Sequence, residues 1–145
     1  MRTLLKYFYQ LKRNQKGQSL VEFALILPVL LLLVFGIIQF GIIFNGQISV
    51  TSAAREGARV AVVSGEVEAR NRVKNALAGA LLVDFDHTDP GNVIFSPTAP
   101  PTSGEEWAVT VKASVPILVP LLPGLVGGTD FNLESTSVMR MEISS

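Results

Sequence analysis

The sequence predicts an α+β protein with a long N-terminal transmembrane helix, a second amphipathic helix and a small antiparallel sheet of about three strands. Three observations support this fold class. An almost uninterrupted apolar run covers residues 23–44, a helix-compatible segment without proline continues it to about Val63, and alternating strand patterns occupy the last third of the chain. The 145 residues leave room for only one modest core outside the apolar run.

The apolar run is long enough to cross a membrane. Between Phe23 and Phe44 the only strongly polar residue is Gln39. As a helix, the run spans about 33 Å, which is close to the hydrocarbon thickness of a bilayer. A secretory signal has a shorter apolar core and a cleavage site of small residues after it, and residues 45–48 provide no such site. We therefore expect the run to remain in the membrane as a single span, with lipid as a direct partner.

Charge is distributed unevenly along the chain, although 12 basic and 12 acidic residues give no net charge. Residues 1–17 contain no acid, and because Lys and Arg resist translocation, this predicts a cytoplasmic N-terminus and an extracytoplasmic C-terminal domain. The basic stretch is too short and too close to the apolar run to indicate nucleic-acid binding. Its basic residues are Arg2, Lys6, Lys12, Arg13 and Lys16.

A glycine and an acid precede the apolar run at a spacing of five residues. The segment reads Lys16-Gly17-Gln18-Ser19-Leu20-Val21-Glu22-Phe23. It resembles the type IV prepilin processing site, where a membrane-embedded peptidase cuts after the glycine on the cytoplasmic face. The resemblance implies that residues 1–17 form a cleaved basic leader and that Gln18 becomes the new N-terminus. Glu22 is then the fifth residue of the mature chain, and the apolar helix is retained.

Glu22 and Phe23 are the predicted assembly residues. An ionised acid inside a membrane segment is costly, so burying Glu22 in an assembly requires a partner. The free α-amino group of Gln18 on a neighbouring subunit would supply this partner and fix the axial offset between helices. The alternative is that Glu22 lies at the headgroup level, where the N-terminal end of the helix dipole favours an acid.

Small residues recur at intervals of four along the predicted helix 18–64. Residues at this spacing line one ridge of a helix, so another backbone can come close to it, from a sheet of the same chain or from a neighbouring helix. Chance clustering in an alanine-rich segment is the alternative. The ridge consists of Gly41, Asn45, Ser49, Ala53, Gly57, Ala61 and Gly65.

A further motif, Ala53-Ala54-Arg55-Glu56-Gly57-Ala58-Arg59, follows the span. Together with the Gln-Ser-Leu-Val-Glu-Phe start and a long apolar helix containing Pro28, it resembles the TadE-like family. These are pseudopilin-like or minor-pilin proteins of the tight-adherence (Flp) pilus apparatus. The similarity is close over residues 17–63 and general beyond them. Arg55, Glu56 and Arg59 are candidate partner contacts; alternatively they form a solvated face in which Glu56 pairs with Arg59.

The resemblance implies a non-enzymatic role in assembling or supporting a secreted pilus. It places the chain in the bacterial cytoplasmic membrane, with incorporation into a surface pilus as a further destination. The implied partners are a prepilin peptidase, other pilin or pseudopilin subunits and the pilus assembly platform. The competing hypothesis is an uncleaved, membrane-tethered adaptor or sensor domain, and the Gly17–Glu22 spacing favours the first.

Residues 65–145 are predicted to form the small extracytoplasmic α+β domain. Gly65 should end the first helix, and a second helix should run from Glu66 to about Leu82. Pairs Glu66–Arg70 and Glu68–Arg72 should lie on its outside. Its predicted inner stripe is Val73, Leu77, Ala80 and Leu81.

Strand patterns follow at Val93–Phe95 and at residues 107–115, where apolar and polar residues alternate cleanly. A third run from Phe131 to Ile143 alternates less cleanly, with Phe131, Leu133, Met139, Met141 and Ile143 on one side. The connection Pro116–Gly128 is apolar but broken by prolines. It is either an inward-folded loop or a patch that touches lipid or a partner.

The sequence offers no catalytic grouping, and we expect no cofactor, no metal and no small-molecule substrate. It has no cysteine, and neither a nucleophile elbow nor a phosphate-binding glycine loop is present. The lone His87 lies in the acidic segment Asp84–Asn92, whose glycine comes two places too late for a calcium loop. Turn chemistry is the simpler interpretation of that segment.

Overall fold

The computed structural model describes residues 15–100, 102, 104–119, 124 and 127–141, with side chains from Gly17 onward. Most of the predicted leader, residues 1–14, therefore lies outside the described residues. Contacts divide the chain into two compact units, with the division between Ile37 and Ile38. The described part of the first unit is helical, and the second unit holds the end of that helix, a second helix and a sheet.

Two α-helices, a short 3₁₀ helix (Pro90–Asn92) and three strands make up the described fold. Helix α1 is Gln15–Ser64 and helix α2 is Glu66–Leu77. Strands β1 (Val93–Ser96), β2 (Glu106–Pro116) and β3 (Asp130–Arg140) pair antiparallel in the order β1-β2-β3. The α+β fold class, the two helices and the three-stranded sheet predicted from the sequence are thus confirmed.

Gly65 separates the two helices because it has a φ of +84°, a conformation that side-chain-bearing residues rarely adopt. Glu66 and Glu68 lie in the first turn of α2, where the positive end of the helix dipole stabilises their carboxylates. Arg70 makes the predicted ion pair with Glu66 at 2.7 Å.

The central strand β2 supplies the middle of the core. Its residues Trp107, Val109, Val111 and Val115 lie on one face and are fully buried, as the period-two pattern predicts. The indole of Trp107 packs 5.4 Å from the ring of Phe95 and donates from Nε1 to the carbonyl oxygen of Pro97 at 2.9 Å. Helix residues cover this face: Val50, Ala53, Ala54, Ala58 and Ala61 of α1, and Ala69, Val73 and Leu77 of α2.

Part of the small-residue ridge explains how α1 approaches the sheet and α2. Ala53 and Ala61 are buried, and a Cβ placed on Gly57 would lie 2.6 Å from Cγ2 of Val73. The same does not hold at Gly41, where a Cβ would meet nothing within 4 Å. The middle of the ridge therefore packs within the chain, whereas Gly41 faces open space.

Helix α2 is shorter than predicted, since it ends at Leu77 and not near Leu82. Leu82 has a φ of +55°, which is incompatible with a right-handed helix. The chain turns here because Asp84 must join the sheet, where its N–H donates to the carbonyl of Ser114 at 2.7 Å. Leu81 is consequently exposed, so its assignment to the inner stripe was wrong.

Two further details differ from the predicted pattern. Phe131 lies on the same strand face as the buried Leu133, but at the rim of the core, and 41% of it remains exposed. Strand β3 ends at Arg140, and Ile143 lies outside the described residues.

The connection after β2 is partly packed inward, since Val119 is buried and Leu118 exposed, while residues 120–123, 125 and 126 lie outside the described part.

Gly57→Leu should destabilise the domain by about 2 kcal/mol or more, because the added carbons overpack the contact with Val73. This cost exceeds the gain of about 1 kcal/mol in helix propensity that replacing glycine brings. Denaturant unfolding of the full chain in detergent, followed by the emission of Trp107, would measure the change. Adding Val73→Ala makes room, so the double variant should lose less than the sum of the single losses. Strict additivity would show that the two positions are not in contact.

Candidate assembly interface

The predicted cleavage and assembly residues lie at the start of α1. Gly17, Gln18, Glu22 and Phe23 are all helical and exposed. The side-chain amide of Gln18 donates from Nε2 to Oε1 of Glu22 at 3.4 Å, one turn apart. No ion pair of Glu22 occurs among the side chains that the structure describes. Its carboxylate is therefore accessible to a cation supplied from outside this chain.

Large apolar side chains cover all sides of α1 between Phe23 and Ile38. Within α1 an 18-residue window reaches a mean hydropathy of 2.8, and none of that window is buried. It is the one helix of the described residues that is long and apolar enough to cross a membrane. A helix that is apolar all round and uncovered needs lipid or other helices around it. The exposed residues include Leu25, Ile26, Val29, Leu30, Leu33, Phe35 and Ile37.

Arg55, Glu56 and Arg59 lie outside the apolar segment, on the solvent side of α1. Glu56 Oε2 accepts from Arg72 Nε at 3.2 Å and from Arg59 Nη2 at 3.4 Å. The hydrogen bond from Arg72 has the larger effect and that from Arg59 the next, and together they hold the pKa of Glu56 below its usual value. Arg55 is exposed and has no ion pair with any described side chain, so its guanidinium is available to another molecule.

Arg72 forms a different ion pair from the one predicted. Its partner is Glu56 of α1, whereas the sequence pattern indicated Glu68 of its own helix. The i,i+4 rule considers only neighbours on one helix, so it cannot register a carboxylate brought close by tertiary packing. The pair links the two helices on their outer side, where an exposed pair contributes little stability.

Gln39 is a residue whose function was not anticipated. Only 4% of it is exposed. Its Nε2 donates to the carbonyl oxygen of Pro116 at 3.1 Å, and its Oε1 accepts from the N–H of Leu118 at 2.7 Å. Both hydrogen-bonding ends of the amide are thus used to hold the end of β2 against α1. The available signal was its position as the only strongly polar residue of the apolar run.

Residues 17–59 match the TadE-like protein family. This segment is TadE-like. The family resemblance inferred from the sequence is thereby confirmed over those residues. No curated protein and no solved structure has significant similarity to the chain.

The TadE-like segment contains the predicted processing residues, the apolar helix and the Arg55–Arg59 motif, and it ends before α2 and the sheet. TadE-like proteins are pseudopilin-type proteins associated with the Tad pilus. The family is structural and is not known for enzymatic activity. Other pilus subunits and a membrane are the associations that this family suggests.

The acidic turn that follows α2, outside the TadE-like segment, is organised by its own hydrogen bonds. Oδ1 of Asp86 accepts from both the N–H and the Oγ1 of Thr88, and these bonds lower the pKa of Asp86. Oδ1 of Asp89 accepts from the N–H of Gly91 at 2.8 Å and caps a short 3₁₀ helix, Pro90–Asn92. The described residues contain no group of three or more His, Cys, Asp or Glu arranged to hold a metal ion.

Proposed function

We propose that the chain is a non-enzymatic minor pilin or pseudopilin that takes part in assembling a tight-adherence (Flp, type IVb-like) pilus or secretion apparatus. The observation that carries the proposal is the TadE-like segment over residues 17–59. Within it, the uncovered apolar helix and the accessible Glu22 support a role in contacts between subunits.

The proposed maturation begins with a prepilin peptidase, which cuts the peptide bond between Gly17 and Gln18 on the cytoplasmic side. The basic residues before Gly17 favour this orientation, with the N-terminus inside and the domain outside. Gly17 has no side chain, and a Cβ there would meet no other part of the described chain. A substitution at Gly17 therefore acts on recognition by the peptidase and leaves packing within the chain unchanged.

After cleavage, the amino group of Gln18 is free and can pair with Glu22 of a neighbouring subunit in the membrane. A charge pair shielded from water discriminates strongly between aligned and misaligned helices, because either charge alone is costly in lipid. Arg55, Glu56 and Arg59 are proposed as further contacts to pilus subunits or to the assembly platform. Arg55 is the best placed of them, because the other two already share an ion pair.

The test is the intact mass and N-terminal residue of the protein purified from membranes of its native host. We expect the mature chain to begin at Gln18. Gly17→Leu should abolish this cleavage and leave the full-length mass. Gly36→Leu is the matched control, since Gly36 also lies in α1 with open space around it, and its maturation should be unchanged. A wild-type chain that still begins at Met1 in a host with active peptidase would favour the uncleaved tethered adaptor or sensor.

A further inference from the structure

An exposed apolar patch lies on the second unit of the fold, beside the C-terminal part of the apolar run. Phe40, Phe44 and Ile48 follow one another at intervals of four on one side of α1 and are 63%, 57% and 59% exposed. The rings of Phe40 and Phe44 are 5.2 Å apart. Phe131 of β3 joins them along the same groove. We call Phe40, Phe44, Ile48 and Phe131 the apolar collar.

The groove between these residues has a volume of about 290 Å³ and contains no ionisable side chain in its lining. Its only polar lining residue is Gln47, whose Nε2 donates to the carbonyl oxygen of Glu134 at 3.1 Å. Of the two remaining lining residues, Leu133 belongs to the core and Ile43 packs against it. The collar therefore continues the core outward as apolar surface that the described chain leaves uncovered.

The depth of the collar follows from the length of the helix. A bilayer core of about 30 Å corresponds to about 20 helical residues. Counted from Phe23, the first residue after the acid, this length ends near Ile42. Phe40 and Phe44 then lie where hydrocarbon meets the headgroups, a zone in which aromatic and aliphatic side chains of membrane-surface proteins are commonly buried. Phe131 shares the groove with both, so the sheet brings it to the same depth.

The hydrogen bonds of Gln39 are consistent with this depth. An amide side chain that faces hydrocarbon without partners is costly. Here both ends of the Gln39 amide bind the backbone of β2 and of the connection after it. The N–H of Ile117 also donates, to the carbonyl of Thr129 at 2.9 Å. At the level of the collar, these polar groups are satisfied within the protein and need no water.

We propose that the apolar collar binds the phospholipid bilayer, so that the folded domain rests in the interfacial region at the C-terminal end of the membrane span. Lipid is the occupant favoured here because Phe40 and Phe44 belong to the apolar run itself, and the collar extends that run without an intervening charge in the groove. The inference depends on the membrane anchor and is independent of cleavage at Gly17.

Single-cysteine variants of the full chain test the proposal, because the native sequence contains no cysteine. Phe131→Cys is labelled with an environment-sensitive nitrobenzoxadiazole dye and reconstituted in phosphatidylcholine vesicles with or without spin-labelled lipid. Val138→Cys is the matched control, because Val138 is on the same strand and 54% exposed. It lies seven residues from Phe131, which corresponds to about 23 Å along the strand. We expect the dye at position 131 to emit at shorter wavelength and to be quenched several-fold more strongly by the spin-labelled lipid.

Ile48→Cys provides a second test in which Phe131 is kept, and its dye should also be quenched more strongly by the spin-labelled lipid than the dye at position 138. Native emission of Trp107 confirms that each variant is folded. Equal quenching at positions 131 and 138 in folded protein would overturn the proposal. Self-quenching between copies labelled at position 131, with no quenching by lipid, would also overturn it, since a second chain would then cover the collar. Neither result depends on whether the chain begins at Met1 or Gln18. A negative result here would therefore leave the proposed cleavage untouched, and a negative result for cleavage would leave lipid binding by the collar untouched.

Discussion

Trp107→Ala should destabilise the domain by about 3–5 kcal/mol, the range typical for truncating a buried aromatic side chain to alanine. Trp107 is fully buried, and its loss leaves a cavity beside Phe95. The carbonyl of Pro97 also loses the hydrogen bond from the indole, which adds the cost of an unsatisfied acceptor. A domain of this size is stable by only about 5–15 kcal/mol, so a large part of its stability would disappear.

Thermal unfolding of the full chain in detergent measures the effect of Trp107→Ala. Because the substitution removes the only tryptophan, unfolding is monitored through the exchange of backbone amide hydrogens in β2. We expect the midpoint to fall by at least about 12 °C. Trp107→Phe keeps a ring against Phe95 and should lose less than half as much. If Trp107→Ala left the midpoint unchanged, Trp107 would not be part of the core.

Glu22→Leu should leave membrane insertion intact and reduce association with neighbouring subunits by roughly 100-fold or more, the effect of removing one member of a buried charge pair. Insertion is preserved because leucine is favourable in a membrane segment. Co-purification of differently tagged copies and partner subunits from membranes measures the association, and resistance to alkaline extraction measures insertion. Pilus formation is scored in the same strains.

Two matched variants make the test of Glu22 specific. Glu22→Asp retains the charge and should recover part of the association, whereas Glu22→Gln retains the hydrogen-bonding shape without the charge and should not. Glu66→Gln removes a carboxylate from an ion pair on α2, outside the TadE-like segment, and should assemble normally. Normal assembly by Glu22→Leu would assign Glu22 to the headgroup level and remove its proposed partner role.

The sequence was sufficient where a single periodicity decides the structure. The alternation around Trp107 predicted β2 and its buried face, and Gly65 predicted the end of α1. It was insufficient where tertiary packing decides. The end of α2 depends on the bridge from Asp84 to Ser114, and the partner of Arg72 depends on the packing of α2 beside α1.

The candidate site shows the same division. The motifs within residues 17–59 were enough to suggest the family resemblance, and Gly17 and Glu22 are recognisable by their spacing. The role of Gln39 was not recognisable, because its partners are backbone groups 77 and 79 positions further along the chain. An amide inside an apolar run indicates that some partner exists, but only the fold identifies the partner.

The continuity of α1 limits how this protein can be divided for experiments. Val50, Ala53, Ala54, Ala58 and Ala61 belong to the same helix as the apolar run and also form one wall of the core. A fragment that begins after Ser64 would expose the valines of β2 to water, and a fragment that keeps the core must instead include the helix from about Gln39 onward. No protease can therefore release an intact domain by cutting near residue 64, because the anchor and the core share one uninterrupted backbone.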